Sequence, residues 1–122
     1  MGNRSNIYIQ DSFADGEGVY IYSHWGGLNH LQNGLDALAT PFAQARMSDS
    51  AYLTRIVAQH ILDIEGKSET GFGISSTMQD NQHDILVIDP KNKMYDLVPE
   101  GCEKDRLTGG FPLTSPKDLQ IT

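Results

Sequence analysis

The chain has 122 residues, of which 39% are hydrophobic, and these values fit a single domain, 1–122, built around one core. Its 16 acidic and 9 basic side chains give a formal net charge of −7, which excludes long DNA or RNA as a partner but allows a small nucleotide in a locally positive pocket. The one cysteine, Cys102, excludes an internal disulfide and a thiolate metal cluster.

Two short β-forming runs open the chain. The first covers Asn6 to Gln10 and the second covers Val19 to Trp25, and residues 14–18 between them have the composition of a turn. This arrangement predicts a β-hairpin.

The end of the second run places Ser23, His24 and Trp25 directly before two glycines, Gly26 and Gly27, and a helix. The first N–H groups of a helix are unpaired and carry partial positive charge, so this corner is suited to a small anion. The alternative is an ordinary strand-to-helix turn with Trp25 packed in the core. The residues alone leave both interpretations open.

The first predicted helix carries an apolar stripe with alternating spacings of three and four residues. Pro41 predicts a break or kink near its end. The stripe either packs on the domain's own sheet, which its short length favours, or docks on a partner helix. Its members are Leu28, Leu31, Leu35, Leu38 and Phe42.

A second helix is predicted between an N-cap at Ser48 or Asp49 and a C′ glycine at Gly66. Arg55 lies at the edge of its buried face, from which the guanidinium can reach the sheet surface. We expect His60 to be a buried structural residue. The full predicted buried face is Leu53, Ile56, Val57, His60, Ile61 and Ile64.

The second half of the chain contains three further predicted strands, at 70–77, 84–89 and 94–98. The unbroken apolar run from Ile85 to Ile88 is typical of a central strand that is covered on both faces. The order β-β-α-α-β-β-β predicts an α+β domain in which two helices pack on one mainly antiparallel sheet. Residues from about 100 to 122 form a loop-rich C-terminal segment.

The motifs of common enzymes are absent from the sequence, including the nucleophile elbow, the phosphate-binding Walker loop and the zinc-binding H-E-x-x-H helix. The four histidines do not have metal-ligand spacing. We therefore expect no enzyme activity, no metal and no cofactor. An enzyme that cleaves a cyclic nucleotide with His24 or His83 as the acid–base group is the alternative.

Features of a binding protein are clearer. Glycines on both sides of Phe72 mark a place where a ligand or another backbone approaches closely, and Phe72 is either a stacking platform or part of the core. The four arginines include Arg55, next to the buried face, and Arg106, in a glycine-rich loop. With Asn81 or Gln82 to read a base edge, these residues predict a pocket for a compact phosphorylated adenine compound.

Three segments, residues 2–7, 22–27 and 71–74, resemble small proteins of phages and prophages, and specifically the Thoeris anti-defence family. The resemblance implies a protein in the cytoplasm of the bacterial host that sequesters a cyclic ADP-ribose isomer, made by a host TIR-domain enzyme, without cleaving it. It also implies a homodimer or higher homo-oligomer with pockets at the subunit junction, no long nucleic acid partner and no membrane. By this resemblance, the aromatic position of the family's pocket corresponds to Phe72, the amide position to Asn81 or Gln82, and the arginine positions to Arg55 and Arg106.

The second hypothesis is a non-enzymatic phage protein that inhibits a host or phage protein by direct interaction through the apolar stripe of the first helix. Arg46 joins the ligand-binding candidates if the break at Pro41 brings it close to the pocket. The predicted ligand-binding set is His24, Trp25, Gly26, Gly27, Arg46, Arg55, Phe72, Gly73, Asn81 and Arg106.

Overall fold

The computed structural model describes residues 2–66 and 71–121. Within them, three helices pack against one mixed, mostly antiparallel sheet of six strands, so the predicted α+β class is confirmed. The strands are β1 (Ser5–Gln10), β2 (Gly18–Ser23), β3 (Phe72–Ser75), β4 (Ile85–Asp89), β5 (Met94–Val98) and β6 (Phe111–Pro112). The helices are α1 (Gly27–Leu38), α2 (Pro41–Gln44) and α3 (Ser50–Glu65).

The sheet has the strand order β3-β2-β1-β4-β5-β6. The predicted hairpin is confirmed, because β1 and β2 pair antiparallel with Ser5 opposite Ser23 and Gln10 opposite Gly18. The central pair, β1 and β4, is parallel, and every residue of β4 is buried. The run from Ile85 to Ile88 is therefore the covered central strand that its composition predicts.

Helices α1 and α3 cover one face of the sheet, where Ile7, Ile21 and Leu86 belong to the main core. The close approach of α1 depends on Gly34, since a Cβ there would lie 2.7 Å from Ile7 Cδ1. The opposite face carries Tyr8 and Tyr20 and packs against residues of the C-terminal segment, including Leu107. The segment that the sequence marks as loop-rich thus closes the second face of the sheet.

The apolar stripe of the first helix is only partly buried. Its central residues Leu31, Leu35 and Leu38 are fully buried against the protein's own sheet, so they offer no docking surface to a partner. Leu28 is partly exposed, and Phe42 is 74% exposed because it belongs to a separate helix. After α1 ends, the Thr40 side chain accepts a hydrogen bond from the Ala43 amide and Pro41 begins α2.

Asp49 is the N-cap of α3, as predicted, and its carboxylate accepts a hydrogen bond from the Tyr52 amide. The helix ends at Glu65, but Gly66 has an extended backbone with φ −167° instead of the predicted left-handed conformation. Three of the six predicted buried side chains, Leu53, Val57 and Ile61, are fully buried. Ile56 and His60 are half-buried and Ile64 is exposed, because the last turn extends past the core.

The strands differ from prediction by one residue at several ends and by more at three places. The second strand ends at Ser23 rather than Trp25, because the chain turns there into α1. The third strand covers Phe72–Ser75 and so ends two residues before the predicted Thr77, and the predicted start at Thr70 lies outside the described residues. Strand β6 was not predicted, since two residues that include Pro112 carry no strand pattern.

A buried histidine joins the two layers of the fold. His30 is fully buried on α1, with Nδ1 2.6 Å from Glu65 Oε2 and Nε2 2.8 Å from the Ile21 carbonyl oxygen. Asn33 Nδ2 also donates to Glu65 Oε2, at 3.1 Å. Burial acts to raise the pKa of the Glu65 carboxyl, but the hydrogen bond and charge of His30 outweigh it, so the pKa lies below its ordinary value.

Glu65→Gln tests the contribution of this carboxylate. The substitution keeps the shape but removes the charge that faces His30, so we expect a loss of about 1 to 3 kcal/mol in the free energy of unfolding at neutral pH. Because folding lowers the pKa of Glu65 from 4.5, its contribution is complete above that value and is lost as the pH falls through the folded pKa. The difference between wild type and variant should therefore shrink in strong acid.

Urea denaturation at about pH 7 and about pH 3 measures both values. Asp63→Asn, on an exposed side chain of the same helix, is the matched control and should change stability little at either pH. A Glu65→Gln deficit that persists unchanged in acid would contradict the role assigned to the carboxylate.

Candidate functional site

A groove of about 700 Å³ lies between α2 and the outer face of α3. We call it the α2–α3 groove. It exists because the chain turns at Thr40 and Pro41, which places the short helix α2 beside α3 without filling the space between them. Phe42 from α2 and Tyr52 from α3 are 74% and 53% exposed, so the groove presents two aromatic rings to solvent.

Two arginines from the predicted site meet in this groove. The Arg46 guanidinium lies over the Tyr52 ring, with Cζ 5.3 Å from the ring centroid, in a cation–π arrangement. Arg55 Nη1 donates a hydrogen bond to Gln59 Oε1 at 2.8 Å. Within the described residues neither arginine forms an ion pair, although Asp63 also lines the groove. The groove is therefore locally positive in an acidic protein.

His60 lies at the inner side of the α2–α3 groove. Its side chain is half-buried, and Nε2 is a buried atom without a hydrogen-bond partner in the described part of the chain. A buried polar atom usually has a partner, because losing hydration without a replacement costs free energy.

A second, shallower groove of about 450 Å³ continues from the first, because Arg55 and Gln59 line both. Phe72 and Gly73 line it from β3, so the structure brings Arg55, Phe72 and Gly73 together as predicted. Phe72 is half-buried: one part of its side chain packs against the main core, and the rest lines the groove. A Cβ on Gly73 would meet nothing within 4 Å, which leaves the backbone open to approach.

The corner formed by residues 23–27 lies outside both grooves. Its first amides are already used, since the Gly26 amide donates to Ser23 Oγ at 2.9 Å and the Gly27 amide donates to the Asn3 carbonyl at 2.8 Å. Gly27 has a positive φ of 52°, and its Cα approaches the Asn3 side chain too closely for a Cβ. The corner orients α1, and these two amides are not available to an anion.

The aromatic side chains of the corner differ in exposure, since Trp25 is on the surface and His24 is half-buried. Trp25 is 63% exposed, so it is not part of the core, and its ring lies edge-on to His24 with the centroids 4.2 Å apart. Trp25 also covers Gly71, where a Cβ would be 3.3 Å from the indole Cδ1. His24 Nδ1 lies 3.0 Å from the Tyr22 hydroxyl.

Asn81 is used within the fold. Its side-chain oxygen accepts a hydrogen bond from Asn6 Nδ2 at 3.2 Å, and its Nδ2 donates to the His83 carbonyl and to Glu100. His83 in turn has Nε2 2.6 Å from Asn3 Oδ1. These contacts fix the loop before β4 at the same end of the sheet as the corner, away from the α2–α3 groove.

Arg106 lies at the opposite end of the sheet, where β1 and β4 end. It donates to Asp15 at 2.8 Å and to the fully buried Asp89 at 3.2 Å. The hydrogen bond from Arg106, together with nearby Lys91, lowers the pKa of the Asp15 carboxyl. The structure therefore separates Arg106 from Arg55, and Arg46 is the second arginine of the groove.

The chain matches no family model, no curated protein and no solved structure. Among the described residues, no helix is long and apolar enough to cross a membrane. The same residues contain no group of three or more His, Cys, Asp and Glu side chains arranged to hold a metal ion. The geometry of the α2–α3 groove is consequently the basis on which a function is proposed.

Phe42, Tyr52, Gln59 and His60 belong to this groove but were not predicted as site residues. The helical spacing of α3 places Tyr52, Arg55 and Gln59 on its outer face. This spacing is the sequence signal from which the α3 side of the groove could have been predicted. The packing of α2 beside that face depends on the turn at Thr40. The spacing of apolar residues in the sequence does not predict this packing.

Gly27→Ala tests whether the corner is required for the fold. An alanine must adopt an unfavourable left-handed conformation and displace the Asn3 side chain, so we expect a loss of about 1 to 3 kcal/mol in unfolding free energy. Gly73→Ala is the control, because its added methyl group enters open space. Thermal and urea unfolding of both variants provide the comparison, and equal stability of the two would contradict the structural role of Gly27.

Proposed function

We propose that the protein binds a compact phosphorylated adenine nucleotide in the α2–α3 groove and holds it without cleaving it. One observation carries the proposal: two arginines without carboxylate partners in the described residues meet two exposed aromatic rings around one cavity. Its volume of about 700 Å³ lies within the range of roughly 300 to 1,000 Å³ that is typical of small-molecule sites.

The groove offers a suitable group for each part of such a ligand. Stacking of a base on Tyr52 or Phe42 contributes about 1 to 3 kcal/mol per base. The guanidinium groups of Arg46 and Arg55 provide charge-assisted hydrogen bonds to phosphate oxygens. The side-chain amide of Gln59, which lines the groove, adds hydrogen-bonding groups beside Arg55. The site therefore combines stacking, charge and hydrogen bonding in one cavity.

Retention without cleavage is the simpler chemistry for this groove. The aliphatic hydroxyl group that lines it belongs to Thr40, and this group donates to the Ala37 carbonyl at 2.7 Å while it caps α2. The other hydroxyl belongs to Tyr52, whose ring lies against the Arg46 guanidinium. A nucleophile needs an adjacent base that takes its proton, whereas Thr40 is held by backbone groups. These contacts support a binding protein rather than a hydrolase.

The resemblance to the Thoeris anti-defence family narrows the proposed ligand to a cyclic ADP-ribose isomer. Such a ligand combines an adenine ring with a diphosphate, which the aromatic rings and arginines of the groove suit. In this proposal the protein acts in the cytoplasm of a bacterial host during phage infection. It removes the signal that a host TIR-domain enzyme produces and so prevents activation of the downstream effector.

Titration calorimetry with purified cyclic ADP-ribose isomers tests binding, and chromatography of the ligand released by heat tests cleavage. We expect binding of at least one isomer with a Kd of about 1 μM or lower and recovery of the same compound. Absence of binding to every isomer at micromolar concentrations would reject the ligand class. Recovery of a hydrolysed product would reject retention without turnover.

Tyr52→Ala and Arg46→Ala locate the site. Each removes about 1 to 3 kcal/mol of stacking or phosphate binding, which corresponds to a rise in Kd of roughly 5- to 150-fold. Trp25→Ala and Arg4→Ala are the controls, since they remove an exposed aromatic and a partly exposed arginine at the other end of the sheet. Weakened binding in the controls with unchanged binding in the groove variants would place the ligand at the corner instead.

A further inference from the structure

The outer edge of β3 is an unpaired strand edge in the described residues. There β3 pairs with β2 alone, and Phe72–Ser75 includes no charged side chain and no proline. Folded proteins usually protect an edge strand with charges, prolines, bulges or a covering segment. The opposite edge of the sheet is protected in this way, because β6 has only two residues and one of them is Pro112.

The register of β3 determines which of its backbone groups face outward. The His24 amide donates a hydrogen bond to the Gly71 carbonyl at 2.8 Å, so these two residues form a bonded pair next to β3. Bonded and non-bonded pairs alternate along antiparallel strands. Gly73 therefore directs its N–H and C=O groups toward β2, whereas Phe72 and Ile74 direct theirs toward the open edge. Such a row of outward backbone groups is complementary to another extended strand.

The shallower groove of about 450 Å³ runs beside this edge, between β3 and α3. Phe72 and Ile74 line it from the strand, and Leu62 lines it from the helix. Ile74 is 57% exposed and Leu62 is 46% exposed. A contiguous apolar surface beside an unpaired strand is typical of an interface between proteins.

This groove has an apolar end and a basic end. A Cβ on Gly66, the residue after α3, would lie 3.9 Å from Phe72 Cβ, so the part of the helix that carries Leu62 is next to Phe72. Arg55 lies two helical turns before Leu62, which is about 10 Å along α3. It is the one charged side chain among the described residues that line the groove, and it forms no ion pair with them. A carboxylate is the group that complements this guanidinium.

We propose that the open edge binds an extended segment of a different protein, which adds a strand to the sheet beside β3. The segment places an apolar side chain against Leu62 and Phe72 and a carboxylate beside Arg55. Its other residues are neutral or basic, because a chain with a net charge of −7 repels further acidic groups. A second copy of this chain fits less well. The strand that it would add, Phe72–Ser75, has no carboxylate for Arg55, and two chains of charge −7 repel one another.

The inference goes beyond nucleotide binding and does not depend on it, since the outward backbone groups and the apolar side chains are present without a ligand. Arg55 also lines the α2–α3 groove, so a nucleotide phosphate and the carboxylate of the segment compete for the same guanidinium. Measurements on the segment therefore use the protein without nucleotide, and their outcome is separate from that of the nucleotide titrations.

The probe is a pair of synthetic peptides with blocked ends, Thr-Val-Thr-Val-Thr-Glu-Thr and Thr-Glu-Thr-Val-Thr-Val-Thr. They present valine and glutamate on one face in the two possible chain directions. NMR titration of isotope-labelled protein measures affinity, and we expect one peptide to bind with a Kd of about 100 μM or lower. Amide hydrogen exchange locates the site. Exchange at Phe72 and Ile74 should slow about tenfold or more, while the Gly73 amide, which faces β2, should change little.

Ile74→Pro removes an outward N–H group that β2 does not use. The variant should keep an unfolding midpoint close to that of the wild type and bind the peptide about tenfold or more weakly. Ile74→Val keeps the N–H group and is the matched control. Arg55→Glu should weaken the glutamate peptide about tenfold or more, and a peptide with lysine in place of glutamate should restore the affinity. Lys117→Glu, an exposed change of the same size in net charge, should leave the affinity unchanged.

No binding of either peptide at about 1 mM would overturn the proposal. So would binding that leaves exchange at Phe72 and Ile74 unchanged or that survives Ile74→Pro, because the peptide would then lie elsewhere. Failure of the lysine peptide to recover affinity for Arg55→Glu would reject the pairing of the carboxylate with Arg55. Sedimentation velocity adds a further check. A wild-type dimer that Ile74→Pro dissociates would assign the edge to a second copy and overturn the proposal.

Discussion

One buried imidazole determines how the helical layer sits on the sheet. His30 connects the backbone of Ile21 in β2 to the carboxylate of Glu65 at the end of α3, and it does so from α1. Both ring nitrogens of this fully buried side chain therefore have a hydrogen-bond partner, one on the sheet and one on α3. The orientation of α3 follows from this link, and the outer face of α3 lines both grooves.

The far face of the sheet depends on a second set of buried polar contacts. Asp89 is fully buried at the end of β4, and Arg106 supplies the opposite charge that a buried carboxylate requires. The Tyr20 hydroxyl donates to Glu103 at 2.7 Å. Burial raises the pKa of Tyr20 most, and this hydrogen bond raises it further. The C-terminal segment is thus held on the sheet by charge and hydrogen bonding as well as by Leu107.

The sequence predicts the regular elements better than the site. The uninterrupted apolar run of β4 and the Asp49 cap of α3 are local signals, and the structure agrees with both. The roles of Arg106 and Phe42 depend on contacts between distant segments. Arg106 contacts Asp89 because β1 and β4 run parallel and end at the same edge of the sheet. Phe42 is not part of the buried stripe of α1, because Thr40 and Pro41 start a new helix.

The distribution of charge gives the strongest reason to assign binding to the α2–α3 groove. Several carboxylates of this acidic chain have structural partners: Asp11 accepts from the Phe13 and Ala14 amides, and Asp89 pairs with Arg106. In the described residues Arg46 has an aromatic ring as its neighbour and Arg55 an amide, neither of which neutralises a guanidinium. The two guanidinium groups outnumber Asp63, the carboxylate that also lines this cavity, so a net positive charge remains there for an anionic ligand.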